Sequence, residues 1–150
     1  MRAVVQRVSE ARVLVDGSEA ARIGQGLCCL VGVEQGDTSE DLDYVARKIV
    51  GLRIFEDDSG VMNLDVGAVG GEILLVSQFT LLGDARKGRR PSYALAEGGD
   101  AARKSFADFV SLVASLFTGK VCTGVFQAMM DVHLVNRGPV TILLDSRKRF

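Results

Sequence analysis

Four neighbouring residues, Ser77, Gln78, Phe79 and Thr80, place two hydroxyls, an amide and an apolar ring directly after the apolar run Ile73 to Val76. Hydroxyl, amide and backbone N–H groups and a flat apolar ring at the carboxyl end of a strand can together hold a ligand. A second unusual stretch, Asn136-Arg137-Gly138-Pro139-Val140-Thr141, lies between two alternating runs near the C-terminus. The two stretches are expected to form one site, with Thr80, Gln78 and Phe79 as its catalytic candidates. Proline removes a ladder donor and restricts its predecessor, so Gly138-Pro139 marks an interruption there, an ordinary trans turn or a cis bond.

Conventional acid–base chemistry finds little support among the remaining residues. The only histidine is His133. Met130, Val132 and Leu134 share one face of a strand, which leaves Asp131 and His133 on the opposite, polar face and His133 directed to solvent. Glu40 and Asp41 fit a helix start, and Asp57 and Asp58 fit a turn, so no carboxylate pair is placed for proton transfer. No phosphate loop, dinucleotide fingerprint or zinc spacing is present, and neither cofactor nor metal is expected. Of three cysteines, Cys28 and Cys29 are adjacent and Cys122 is isolated, a pattern of buried reduced thiols rather than of disulfides.

The elements that must position these residues follow from periodicity. Val4 to Val8 and Ala11 to Val15 resemble two short strands, Asp16-Gly17 turns into Glu19 to Ile23, and Leu27 to Val33 is a strand covered on both faces. Thr38 begins a helix, with an acid, Asp41, three positions later. Leu42, Val45, Ala46, Ile49 and Val50 then form its apolar face. Asp57 to Gly60 is a turn, Met62-Asn63-Leu64 a short extended piece, and Ile73 to Val76 a buried strand. A second helix spans Asp100 to Phe117, with Phe106, Phe109, Val110, Val113, Leu116 and Phe117 on one face and Gly119 as its stop. Val121 to Val125, Met130 to Val135 and Val140 to Leu144 close the chain as strands. The result is α/β, with mixed, partly antiparallel sheets and two main helices.

At 150 residues, the chain suits one domain over 1–150. A formal charge of −1 argues against an indiscriminate polyanion binder, so any RNA contact must be local. No apolar run approaches the ~20 residues needed to cross a membrane and no signal peptide is evident, which points to a soluble, cytoplasmic protein. Between Gly83 and Ser92, the basic residues Arg86, Lys87, Arg89 and Arg90 make either a binding loop or a solvated surface loop.

Together, Ser77-Gln78-Phe79-Thr80-Leu81 and Asn136-Arg137-Gly138-Pro139-Val140-Thr141 closely resemble the two signature motifs of the D-aminoacyl-tRNA deacylases. The likeness extends over the whole chain and includes Ala3 to Val8, Met62-Asn63-Leu64 and Gly88-Arg89-Arg90-Pro91-Ser92. It implies a three-layer fold, and hydrolysis of the ester bond of D-aminoacyl-tRNA with some activity on glycyl-tRNA. It further implies a homodimer with its sites at the subunit interface and no DNA partner. Gly138-Pro139 of one subunit, joined by a cis bond, would reach into the other subunit's pocket and exclude L side chains. Ser77 to Thr80 and Ala128, Met129 and Met130 would line that pocket, the last three at its adenosine end, and Arg7 would brace Gly138-Pro139. Thr80 is the nucleophile candidate by resemblance, but no base is evident for it. Departures from the common pattern fall at Gln127, where a small residue is expected, and at Met129 and Arg137, where an acid is usual. Arg86, Lys87, Arg89, Arg90 and the tail Arg147-Lys148-Arg149 are candidates for tRNA phosphate contacts. A noncatalytic nucleic-acid-binding module and an editing enzyme for another misacylated tRNA are the rival readings.

Overall fold

A computed structural model describes residues 1–150. Its strands are β1 (Arg2–Val15), β2 (Ser18–Ile23), β3 (Gly26–Gly32), β4 (Phe55–Glu56), β5 (Met62–Leu64), β6 (Glu72–Ser77), β7 (Val121–Thr123) and β8 (Asp131–Asp145), and its helices are α1 (Ser39–Gly51) and α2 (Gly99–Leu116). One six-stranded sheet runs β2-β1-β3-β6-β7, with β8 on the other edge of β1, while β4 and β5 form a separate two-stranded piece. The pairings of β1 with β2, β3 and β8 are antiparallel, and those of β6 with β3 and β7 are parallel. This is the mixed α/β arrangement expected.

The two helices cover one face of the sheet. Val45, Ile49, Phe106, Phe109 and Val113 pack there against Leu27, Cys29, Ile73 and Leu75. On the other face Val8, Val13, Ile23, Cys28, Leu74 and Val76 form a second core beneath the curled half of the sheet. Successive residues of β6 thus enter alternate cores, which explains why Ile73 to Val76 is apolar without alternation. Cys28 and Cys29 are buried as expected, whereas Cys122 is half-buried, with its Sγ 3.7 Å from the Arg22 carbonyl.

Two expected pairs of strands are single elements. In β1, Ala3 and Val5 face the helix-side core while Val8, Ala11 and Val13 face the other. The register against β8 slips between Val8 and Glu10, and this bulge re-aims the second half of the strand. In β8 the interruption is an excursion: Gln6 pairs with Thr141 and Val8 with Asn136, so residues 137–140 stand opposite Arg7 alone. Asn136 closes its base, with Nδ2 donating to Thr141 Oγ1 at 3.1 Å and Oδ1 accepting from Val140 N–H at 2.9 Å. Gly138 has φ of 127°, and the Gly138-Pro139 bond is cis. At the start of α1 the Asp41 carboxylate accepts from the Thr38 N–H at 2.8 Å and from its hydroxyl at 3.0 Å.

No helix is long and apolar enough to cross a membrane.

Candidate active site

Strand register brings the site together. In the parallel ladder Leu75 pairs with Thr123, and the Gly124 N–H donates to the Leu75 carbonyl at 2.9 Å. The chain leaving β6 through Ser77 therefore runs beside the chain leaving β7 toward Phe126. On the other side Val31 pairs with Ser77, and the Glu97 N–H reaches the Val33 carbonyl at 3.0 Å, which draws the segment before α2 over the same strand ends. A cavity of about 760 Å³ opens between these pieces. Carboxyl ends of parallel strands are where ligands collect in such sheets.

Ser77, Gln78, Phe79, Thr80, Ala128, Met129 and Met130 all line this cavity. After Ser77 the chain turns into a 3-10 helix, Phe79–Leu82, for which the sequence shows no periodic signal. The Gln78 N–H, expected to face the substrate, instead donates to the Val31 carbonyl at 2.7 Å as the last rung of the β3–β6 ladder. Those of Phe79 and Thr80 begin the 3-10 turn and have no carbonyl partner within it. They are left free by the turn's own hydrogen bonds. The Gln78 side-chain amide donates to Thr80 Oγ1 and fixes the hydroxyl. Phe79 is 53 % exposed and meets Tyr93 edge to face, ring centroids 5.1 Å apart.

Several lining residues escape sequence reasoning, among them Val33, Tyr93, Glu97, Ala102 and Phe126. Glu97 is the only carboxylate there, and its Oε1 accepts the Gly98 N–H at 3.0 Å. Nothing local distinguishes it from a solvated acid before a helix. His133 is exposed on β8 and is not part of the lining.

Gly138 and Pro139 do not line this cavity; their excursion is exposed. Arg7 lies behind them and is buried, not a surface cation. Its Nε donates to the Arg137 carbonyl at 3.0 Å, its Nη1 to the Ile54 carbonyl at 2.7 Å, and its Nη2 lies 3.6 Å from Glu56 Oε1. With φ of 127° at residue 138, and a Cβ there 2.8 Å from both Arg7 Nη2 and Val140 Cγ2, any side chain at this position would be strained, which favours glycine.

The candidate phosphate contacts divide. Paired N–H and carbonyl groups of Asp84 and Ser92 close the basic loop at 2.8 and 2.9 Å and leave Lys87, Arg89 and Arg90 exposed. Arg86 is engaged: its guanidinium grips Asp84 at 2.6 Å and holds that carboxyl well below the usual carboxylate range. In the tail, Arg147 and Arg149 are internal partners of buried Glu34, and Arg149 of buried Asp145 as well, because those carboxylates require counter-charges. Lys148 lies over the Tyr44 ring, 5.7 Å from its centroid.

Comparison with known proteins identifies the family of the chain. The chain is 58% identical over 150 residues, the whole of both chains, to D-aminoacyl-tRNA deacylase from Kosmotoga olearia. Among solved structures it is similar to c-Myc DNA Unwinding Element Binding Protein, with TM-score 0.93, 41% identity and 97% and 98% of the two chains covered. A probable eukaryotic D-amino acid tRNA deacylase, at TM-score 0.79 and 18% identity over 96% and 98% of the chains, shares the fold. The protein is a hydrolase acting on ester bonds. Residues 4–145 match the model described as D-Tyr-tRNA(Tyr) deacylase, and the chain belongs to that family.

Proposed function

We propose that this protein hydrolyses the ester joining a D-aminoacyl group to the 3′-terminal adenosine of tRNA, a chiral proofreading step of translation carried out in the cytoplasm. The observation that carries this reading is the convergence of residues 77–80 and 128–130 on one cavity with uncommitted N–H donors and no histidine. Water adds to the ester carbonyl carbon, and the oxyanion forms against the N–H groups of Phe79 and Thr80. The carbon–oxygen ester bond then breaks, the terminal ribose oxygen takes up a proton, and the free amino acid and tRNA depart. The adjacent ribose 2′-hydroxyl helps activate the water, while Thr80 positions the substrate and Phe79 packs on adenine.

The working unit is a homodimer. Gly138 and Pro139 stand away from their own subunit's cavity on an exposed excursion braced by Arg7, which suits a role in a partner's pocket. There, as the family resemblance implies, their carbonyls accept from the substrate amino group and leave no room for an L side chain. Glycine has no side chain to exclude, so glycyl-tRNA is hydrolysed to some extent as well. Lys87, Arg89 and Arg90 contact phosphates of the tRNA body.

The test is release of D-tyrosine, L-tyrosine and glycine from matched charged tRNAs by catalytic amounts of protein, with a chelator control. D-tyrosine should be released rapidly, L-tyrosine not at all and glycine measurably; equal release of both enantiomers overturns the reading, and absent glycyl hydrolysis overturns its steric basis. An additional nucleic-acid-binding role beside hydrolysis is a second reading, favoured by the similarity to c-Myc DNA Unwinding Element Binding Protein. Binding of a DNA oligonucleotide that persists in the presence of saturating tRNA would support it.

A further inference from the structure

Phe126 and Gln127 form part of the cavity wall, and a single side chain outside that wall engages both. Arg103, on the exposed face of α2, holds its guanidinium carbon 4.9 Å from the centroid of the Phe126 ring. Its Nη2 donates to Gln127 Oε1 at 2.8 Å. Gln127 has φ of 65°, a backbone conformation that favours glycine, and its side chain is tethered only by this contact. Phe126 in turn packs on the core residue Phe106, ring centroids 5.9 Å apart, so the platform under the guanidinium is rigid.

Arg103 has no carboxylate partner, whereas the neighbouring Lys104 pairs with Asp108 at 2.6 Å. A guanidinium carries five N–H donors in a planar fork matched to phosphate oxygens, and here only one is used by the fold. Met129, two residues after Gln127 in the same cavity lining, is 89 % exposed. A cation without a carboxylate partner is thus held against two wall residues of a cavity that, on the deacylase reading, receives the end of a polyanion. We propose that Arg103 binds the phosphodiester joining the terminal nucleotide to the one before it, with Phe126 as its platform and Gln127 restricting its rotation. This rests on the deacylase reading of the cavity.

The test uses the full chain with Arg103→Gln and Arg103→Lys, and reads binding of a short RNA ending in CCA across a salt series. Arg103→Gln should weaken the oligonucleotide about tenfold, the value of one charge-assisted contact, and lower the salt slope by about 0.7. Arg103→Lys should restore the slope, and binding of free adenosine, which has no phosphate, should not change. An oligonucleotide with a neutral terminal linkage should bind the wild-type protein weakly and be indifferent to Arg103→Gln. Equal weakening of adenosine and oligonucleotide makes Arg103 a wall bracket only and overturns the proposal. So does an unchanged affinity, or a wild-type protein that does not bind the oligonucleotide. Failure of the deacylase reading shows separately, as absence of D-aminoacyl ester hydrolysis by a wild-type protein whose oligonucleotide binding still depends on Arg103.

Discussion

Thr80 carries a hydroxyl beside the expected position of the ester, but its oxygen accepts from the Gln78 side chain and no proton acceptor is paired with it. The only lining carboxylate, Glu97, already accepts the Gly98 N–H. Positioning by Thr80 is therefore worth one hydrogen bond, and Thr80→Ala should lower kcat about tenfold without abolishing it. Glu97→Gln should leave kcat within about threefold, as expected for a group that orients a helix start and takes no proton. Single-turnover rates on D-tyrosyl-tRNA check both. A loss of several orders of magnitude with binding retained would assign Thr80 the attack, or Glu97 the proton. Thr80 and Gln78 are legible in the sequence because their motif is contiguous; Glu97 and Tyr93 are not, because a long-range contact with Val33 and an aromatic contact with Phe79 give them their places.

The 3-10 turn that presents Thr80 depends on the strand beneath it. A Cβ on Gly32, at the end of β3, would lie 2.5 Å from Leu82 Cδ2 and 2.9 Å from the Gln78 carbonyl oxygen. Gly32→Ala must push the turn outward, and we expect a stability loss of about 1–3 kcal/mol together with a fall in kcat/KM of the folded enzyme. Gly26→Ala provides the comparison. Its Cβ would meet the Glu72 carbonyl oxygen at 1.9 Å, at the opposite end of the same strand, so it should destabilise without a comparable effect on the folded enzyme's turnover. Urea denaturation with parallel kinetics separates the two. Equal activity losses at equal fraction folded would mean that the turn is not held by this contact.

Across the molecule, one network ties the two ends of the chain to the centre. The Met1 amino group contacts Asp37 at 2.6 Å and Ser146 Oγ at 2.7 Å. Arg147 and Arg149 close on Glu34, and Arg149 and Arg2 lie against Asp145. Arg2 also donates to the Leu81 carbonyl at 2.9 Å, which connects the network to the 3-10 turn. Burial alone would raise the Glu34 carboxyl, but Arg149, Arg147 and the amino terminus outweigh it and hold it below its ordinary value. The unfolded chain therefore binds protons more readily than the folded one in acid. The stabilisation is fully present above the unfolded value of about 4.3 and is lost as pH falls through the folded value. Thermal melting from pH 7 to pH 3 should show a falling Tm below about pH 5, and Glu34→Gln should lower Tm at pH 7 and flatten that acid limb. An acid limb of unchanged steepness in Glu34→Gln would place the proton uptake elsewhere.

Both helix faces, the doubly covered strands, the turns and the two polar motifs follow from the sequence alone, because 3.6- and 2-residue periodicities record which side chains meet the core within a few neighbours. The family resemblance is legible for the same reason, since each motif is contiguous. Pairing across the chain is not recorded locally. The bulge that joins two apparent strands into β1, the loss of the Gln78 N–H to Val31, and the capture of Arg147 and Arg149 by Glu34 each depend on residues tens of positions away. A strand end acquires a ligand-facing side only when register sets another strand end beside it. Here the alignment of Leu75 with Thr123 carries residues 77–80 and 126–130 into one wall, and that alignment is chosen by the summed packing of two cores rather than by any one stretch of the chain.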